Sequence, residues 1–181
     1  MSQAAEMSFW DHLEDLRKSL FRMIAVFVVT VVALFFFKDF LFDDVILAPS
    51  KSDFLLYRLL GTDFSMSLVN LEVAAQFMIH MKVTFVSALI LTFPYHIFEV
   101  WRFVAPALYE NERAAVRKAF AFASFLFYLG VIVAYALLFP LMLNFFAGYQ
   151  VSPDVPNTFS LTSYISLFTS TVLTFGIVFE F

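Results

Sequence analysis

The chain has 181 residues, 62% of them hydrophobic, 20% aromatic and 14% charged, with mean hydropathy +0.86 and formal net charge -4. Ordinary globular chains carry roughly 25% charge, so the composition excludes a typical water-soluble domain, and the lack of a basic tail or stripe argues against a nucleic-acid partner. With no cysteine, a disulfide framework, a thiolate metal site and a cysteine nucleophile are excluded as well.

The amino terminus does not read as a cleavable signal peptide. Such a peptide opens with a basic region, whereas Glu6, Asp11, Glu14 and Asp15 precede the first apolar run. Residues 8–19, SFWDHLEDLRKS, predict an amphipathic helix entering a membrane, with Phe9, Leu13, Leu16 and Leu20 at helical spacing. Ser8 with Asp11 fits a helix-start pattern, and Glu14 with Lys18 forms an i,i+4 pair. A first span is expected over about 20–37.

Residues 38–72 hold Asp39, Asp43, Asp44, Asp53 and Asp63 among apolar clusters such as Phe54-Leu55-Leu56. They read as a folded cap on the membrane surface. A second span covers about 83–98, with Pro94 expected to end or kink it. A charged connection follows over 99–118, then a third span over 119–139, closed by Pro140. From Ala119 to Pro153 there is no Asp, Glu, Lys or Arg, and a bilayer core needs only about 20 apolar residues per helical crossing. A loop with Pro153 and Pro156 leads to a fourth span over 161–181. The expected fold class is therefore all-α, a polytopic integral membrane protein forming a single membrane domain over 1–181.

Lys and Arg bias sets orientation. Arg17, Lys18, Arg22, Arg102, Arg113, Arg117 and Lys118 fall on one side, against Lys38, Lys51 and Arg58 on the other. The amino terminus and the 99–118 loop are expected in the cytoplasm, with the cap outside.

Two acidic groups then share the cytoplasmic face: Glu14 with Asp15, and Glu110 with Glu112. Neighbouring carboxylates repel, and paired guanidinium groups on an extended peptide would relieve that repulsion. One such contact is worth about 4 kcal/mol at 4 Å and an effective dielectric near 20. Bidentate geometry favours Arg over Lys. The alternative is that these acids are solvated or pair with Arg17, Lys18 and Arg113.

The segments HLEDLRKSL, FPYHIFEVWRFVAPALYENER, YLGVIVAYALLFPL and FGIVFE together resemble the TatC family, the polytopic receptor core of the twin-arginine protein translocase. They occur in order across nearly the whole chain, and the loop W-x-F-[IV]-A-P-[AG]-L-x-x-x-E-[RK] carries most of the specificity. The resemblance implies a signal-peptide receptor and scaffold that exports folded proteins with the proton-motive force. It implies partners too: twin-arginine signal peptides, the single-span subunits TatA and TatB, membrane lipid and further copies of the chain. The expected location is the bacterial cytoplasmic membrane, and no cofactor, metal or enzymatic activity is implied.

By the resemblance, the loop glutamate falls on Glu112 with Arg113 beside it, and the loop aromatic on Phe103. The amino-terminal acid falls on Asp15 with Arg17 two residues on, and Glu14 stands where it could take over that role. Phe103 could offer its face to a guanidinium or be one more lipid- or core-facing ring. The family's membrane-buried glutamate falls on Glu180, which is either a functional ionisable group or a neutral side chain bonded to a neighbouring helix. A helix starting near Leu161 puts Glu180 roughly 28 Å along, nearer the inner face than the bilayer middle. Pro49 and Pro94 match family prolines, read as backbone punctuation. The family usually has six spans and three complete ones plus a fourth are legible here, so the chain is expected to bind signals without completing translocation. Two other classes fit parts of the pattern: a proton-coupled secondary transporter working through Glu180, and a membrane scaffold without ligand.

Overall fold

The computed structural model describes residues 9–62, 64–155 and 157–181, with the backbone alone at Phe9 and Asp11. Ser8 of the expected helix start, Glu6, Asp63 and Pro156 lie outside the described residues, as does the Asp11 side chain. The architecture is a bundle of four long helical rods with a folded cap at one end.

The first rod is α1 (Phe9–Phe36). The amphipathic turns and the first span are thus one unbroken helix rather than two elements, because nothing between Ser19 and Phe21 breaks helical geometry. It is followed by a π-helical turn, Phe40–Ile46, a 3-10 turn, Ala48–Ser50, and α2 (Leu55–Leu60). Gly61 closes α2 in the left-handed region, at φ 64, a conformation that glycine adopts without steric cost. The second rod, α3 (Ala75–Val104), runs on past the carboxyl end of the expected span. A 3-10 turn, Ala105–Ala107, joins it to α4 (Glu110–Val133). A second π-helical turn, Ala134–Leu138, connects α4 to α5 (Phe139–Gly148), so the third rod runs on for 39 residues, Glu110–Gly148. The fourth rod is α6 (Leu161–Val178), three residues shorter than expected.

Neither proline breaks its rod. Pro94 removes the hydrogen bond that Ile90 would receive one turn back, and the Tyr128 hydroxyl of α4 donates to that carbonyl instead, at 3.1 Å. Pro140 stands two residues after the second π-helical turn, whose wider ring makes room for the imide and moves the carbonyl one turn back out of its way. The charged segment 99–118 is mostly helical as well, leaving a connection of only a few residues between α3 and α4.

The segment between α1 and α3, the cap, is folded. Three tyrosines join it to the rods. Tyr135 donates to Val45 and Tyr164 to Ile46, both at 2.8 Å, while Tyr57 donates to Pro49 at 3.0 Å and Pro140 at 3.3 Å. Val45 and Ile46 end the first π-helical turn, where carbonyls lack their usual helical donors. Pro49 and Pro140 are therefore attachment points through their carbonyls, beyond backbone punctuation. Burial pushes the Tyr57 hydroxyl up to about 12. Two short strands, β1 (Leu68–Val69) and β2 (Phe159–Ser160), pair in parallel and tie the cap to the start of α6.

The buried core lies toward this end: Ile46, Tyr57, Val83, Phe139, Ile165 and Val172 are all nearly inaccessible. Lower down, α4 and α6 touch through glycines. A Cβ at Gly130 would meet the Phe175 carbonyl, and one at Gly176 would lie 2.8 Å from the Phe127 ring. Close backbone approach of this kind is how helices associate where no hydrophobic force acts between them. It also gives the FG of FGIVFE a physical reason.

Candidate functional site

The amino-terminal turns of α1, the end of α3 and the start of α4 converge at the end of the bundle opposite the cap. On α1, His12, Asp15, Ser19 and Arg22 recur at spacings that place them along one face. On α3, Tyr95, Glu99 and Phe103 do the same. The two faces meet. His12 stacks on Phe103 with ring centroids 4.3 Å apart and planes 24° from parallel.

Deeper in the bundle, about one turn from Phe103 on α3 and nearly three from His12 on α1, Arg22 grips Glu99 with a two-pronged fork. Its Nε donates to Oε1 at 2.9 Å and its Nη2 to Oε2 at 2.7 Å. Tyr95 donates to the same Oε1 at 3.0 Å, Nη2 also donates to the Ser19 hydroxyl at 2.9 Å, and Arg102 approaches to 4.0 Å. The Glu99 side chain is 2% exposed and that of Arg22 39%. The carboxylate is thus removed from solvent with its hydrogen-bonding needs met, the condition under which a buried ion pair is tolerated.

The acids singled out from sequence divide into two kinds. Glu14 is engaged: Lys18 holds it at 2.9 Å in the expected i,i+4 pair, and the Lys18 contact holds its side chain along the helix surface. Asp15 is exposed and makes no hydrogen bond or ion pair with another described residue, and the Arg17 side chain is exposed beside it. Glu112 is exposed in the first turn of α4 and accepts from the Tyr109 N–H at a long 3.4 Å. An acid is favoured there by the unpaired N–H groups of the helix start. Arg113 donates from Nε to the Leu108 carbonyl at 3.2 Å, pinning the connection against α4. Of the alternatives open at the outset, internal pairing holds for Glu14 and solvent exposure for Asp15 and Glu112. Phe103 has one face taken by His12, so it belongs to the junction of α1 and α3 rather than to the lipid.

No contact among the described residues links Asp15 directly to Glu112. What brings their elements together is the His12–Phe103 stack, with Phe103 near the end of α3 and Glu112 just beyond the short turn.

Glu180 lies elsewhere. It sits in the turn after α6, one turn past Gly176, whose partner on α4 is Phe127. That packs it beside the charge-free part of α4 that starts at Ala119. The register of α6 on α4, fixed by Gly130 and Gly176, decides this. Its Oε1 is buried with no hydrogen-bond partner among the described residues.

Sequence reasoning missed the Arg22–Glu99 pair. Arg22 entered only as an orientation marker and Glu99 as the first residue of a charged loop. The available signal was the helical spacing of Asp15, Ser19 and Arg22, and of Tyr95 and Glu99. Among the described residues no group of three or more His, Cys, Asp or Glu side chains could hold a metal ion.

Residues 11–181 match the family described as Sec-independent protein translocase protein (TatC). Among curated relatives, the TatC protein of Blattabacterium sp. subsp. Periplaneta americana is 35% identical over 191 residues, covering 97% of this chain and 72% of the relative. That of Escherichia coli K12 is 34% identical over 174 residues, covering 93% of this chain and 62% of the relative. A crystal structure of the twin-arginine translocase receptor TatC in DDM superposes with TM-score 0.74 at 28% identity, over 93% of this chain and 71% of that one.

Proposed function

Because the chain belongs to the TatC family of Sec-independent protein translocase proteins, we propose that it is a receptor for export substrates bearing paired arginines. The substrate's two guanidinium groups bind Asp15 and Glu112, with Glu14 joining when it releases Lys18. Phe103 takes part through its edge and its free face. The apolar part of the signal lies along the outer surface of α1 and α3. The single-span subunits TatA and TatB join the same assembly, and the proton-motive force drives folded cargo across. The protein sits in the bacterial cytoplasmic membrane with its amino terminus and the α3–α4 turn inside, as the Lys and Arg bias favours.

The observation that carries this reading is the His12–Phe103 stack. It holds the HLEDLR turn of α1 at the mouth of the α3–α4 connection, where Asp15 and Glu112 stand exposed and available. Guanidinium is the chemistry suited to two separated carboxylates at a water–lipid boundary, because it remains charged and binds in bidentate fashion.

The test is equilibrium binding of a labelled twin-arginine signal peptide to the purified chain. Glu112→Lys lowers affinity by about a hundredfold, since a contact of opposite charges becomes one of like charges. Unchanged affinity in that variant would refute the assignment. Proton-dependent uptake of a small solute, indifferent to the peptide and lost in Glu180→Gln, would favour a transporter instead.

A further inference from the structure

We infer that Arg22 and Glu99 form a positioning pair, an internal guanidinium–carboxylate fork that fixes the acidic turn of α1 against α3 and so sets how the chain receives a signal. This rests on the receptor reading above and adds two residues to it that do not touch the substrate.

Four observations converge. First, α1 is nearly surrounded by its environment: only 6% of its most apolar stretch is buried inside the protein. Leu20, Phe21, Ile24, Val28 and Val29 all face outward. In lipid such surface supplies no force toward neighbouring helices, so specific packing and polar contacts must locate the helix. Second, Arg22–Glu99 is the one salt bridge joining different helices among the described residues. Third, its geometry is restrictive. Two parallel N–H donors meet two carboxylate oxygens, Tyr95 occupies a further site on Oε1, and Ser19 accepts from Nη2. A fork of this kind fixes rotation as well as distance. Fourth, its place is right. Arg22 is two turns from Asp15 on one helix face, about 10 Å along the axis, and Glu99 is one turn from Phe103, about 6 Å. A small rotation of α1 about its axis would swing Asp15 away from the mouth and unstack His12 from Phe103.

The pair is asymmetric, and this gives the inference its signature. Glu99 is enclosed, whereas Arg22 is partly open. Removing the arginine leaves a carboxylate buried with only the more distant Arg102 to compensate. Removing the carboxylate leaves an arginine that can turn toward water. Removing both leaves two amides able to bond each other, with no buried charge. Breaking one partner of a buried pair is far more harmful than replacing both.

The experiment uses the purified chain with spin labels at exposed Leu16 and Ala107, near the end of α1 and just beyond α3. Distances are measured without peptide, and affinities for twin-arginine and twin-lysine signal peptides are measured in parallel. In Arg22→Gln the label distance broadens and twin-arginine affinity falls about tenfold, a coupling typical of contacting residues. Glu99→Gln shows the same changes to a smaller degree, and Arg22→Gln/Glu99→Gln returns both toward the unmutated values while overall helicity stays constant throughout. Unchanged label distances in both single variants would overturn the inference. So would a double variant worse than either single, or a rise in affinity in Arg22→Gln, which would mark Arg22 as an occupant of the site. If the unmutated chain shows no preference for arginine, the receptor reading fails, and the label distances still decide whether the pair positions α1.

Discussion

The two ends of the bundle are held together by different chemistry. At the cap end, three tyrosine hydroxyls reach to backbone carbonyls, all uncharged, with Tyr57 and Tyr164 enclosed and Tyr135 partly so. At the opposite end the links are an ion pair and a histidine–phenylalanine stack, and the flanking acids lie open to solvent. Neutral hydroxyl–carbonyl bonds cost little to bury once made and respond weakly to salt. Exposed charges are screened and exchange partners readily. The cap end is held by enclosed neutral bonds, and the other end leaves its flanking carboxylates open to solvent.

This contrast implies that substitutions at the two ends separate stability from binding. The largest expected effect falls between them. Gly130→Leu forces a side chain into the Phe175 backbone and should lower the thermal unfolding midpoint in detergent more than any cap substitution, by the equivalent of about 3 kcal/mol or more.

Tyr164→Phe comes next. It leaves the Ile46 carbonyl without its donor in a buried site, at about 1–3 kcal/mol. The check is a lower unfolding midpoint with signal affinity unchanged; a lost affinity would mean the two ends are coupled.

Tyr57→Phe should cost less, since the Tyr57 hydroxyl divides its donation between Pro49 and Pro140. Its pH signature sharpens the comparison. The folded phenol is held protonated up to about 12, against roughly 10 when unfolded. Its contribution is therefore complete below pH about 10 and is lost as pH rises toward about 12. Unfolding midpoints measured from pH 8 upward should fall more steeply for the unmutated chain than for Tyr57→Phe.

The smallest effect belongs to the open end. Lys18→Ala frees Glu14 from an exposed pair and should leave the unfolding midpoint unchanged while raising twin-arginine affinity a few fold at low salt, an increase that disappears at high salt.

Much of this was legible in the sequence because lipid imposes a simple rule. The charge-free stretch from Ala119 and the four apolar runs could be little other than spans, and Glu14–Lys18 followed from spacing alone. Most of what the sequence did not show depended on a partner distant in sequence. Pro94 reads as a helix end or a kink, and the unbroken helix is explained once Tyr128 is seen to take over the Ile90 carbonyl. Pro140 reads as a stop unless the π-helical turn before it is known. Glu99 reads as the edge of a charged loop because Arg22, 77 positions away, hides its charge. Which part of α4 Glu180 packs beside depends on the register of α6 on α4, set by two glycines whose neighbours no local pattern reveals. At the candidate site, the residue types at Asp15, Phe103 and Glu112 were apparent, but which acid is free and what holds the elements together were not.

The central claim is that open carboxylates at the end away from the cap take hold of paired guanidinium groups. Its most direct test is crosslinking from a photoreactive residue at position 112 to signal peptides bearing Arg-Arg or Lys-Lys, in membranes containing the chain. The account predicts strong crosslinks to the arginine peptide, weak ones to the lysine peptide, and loss of the difference in Asp15→Asn. Equal crosslinking of both peptides, unaffected by that substitution, would contradict it.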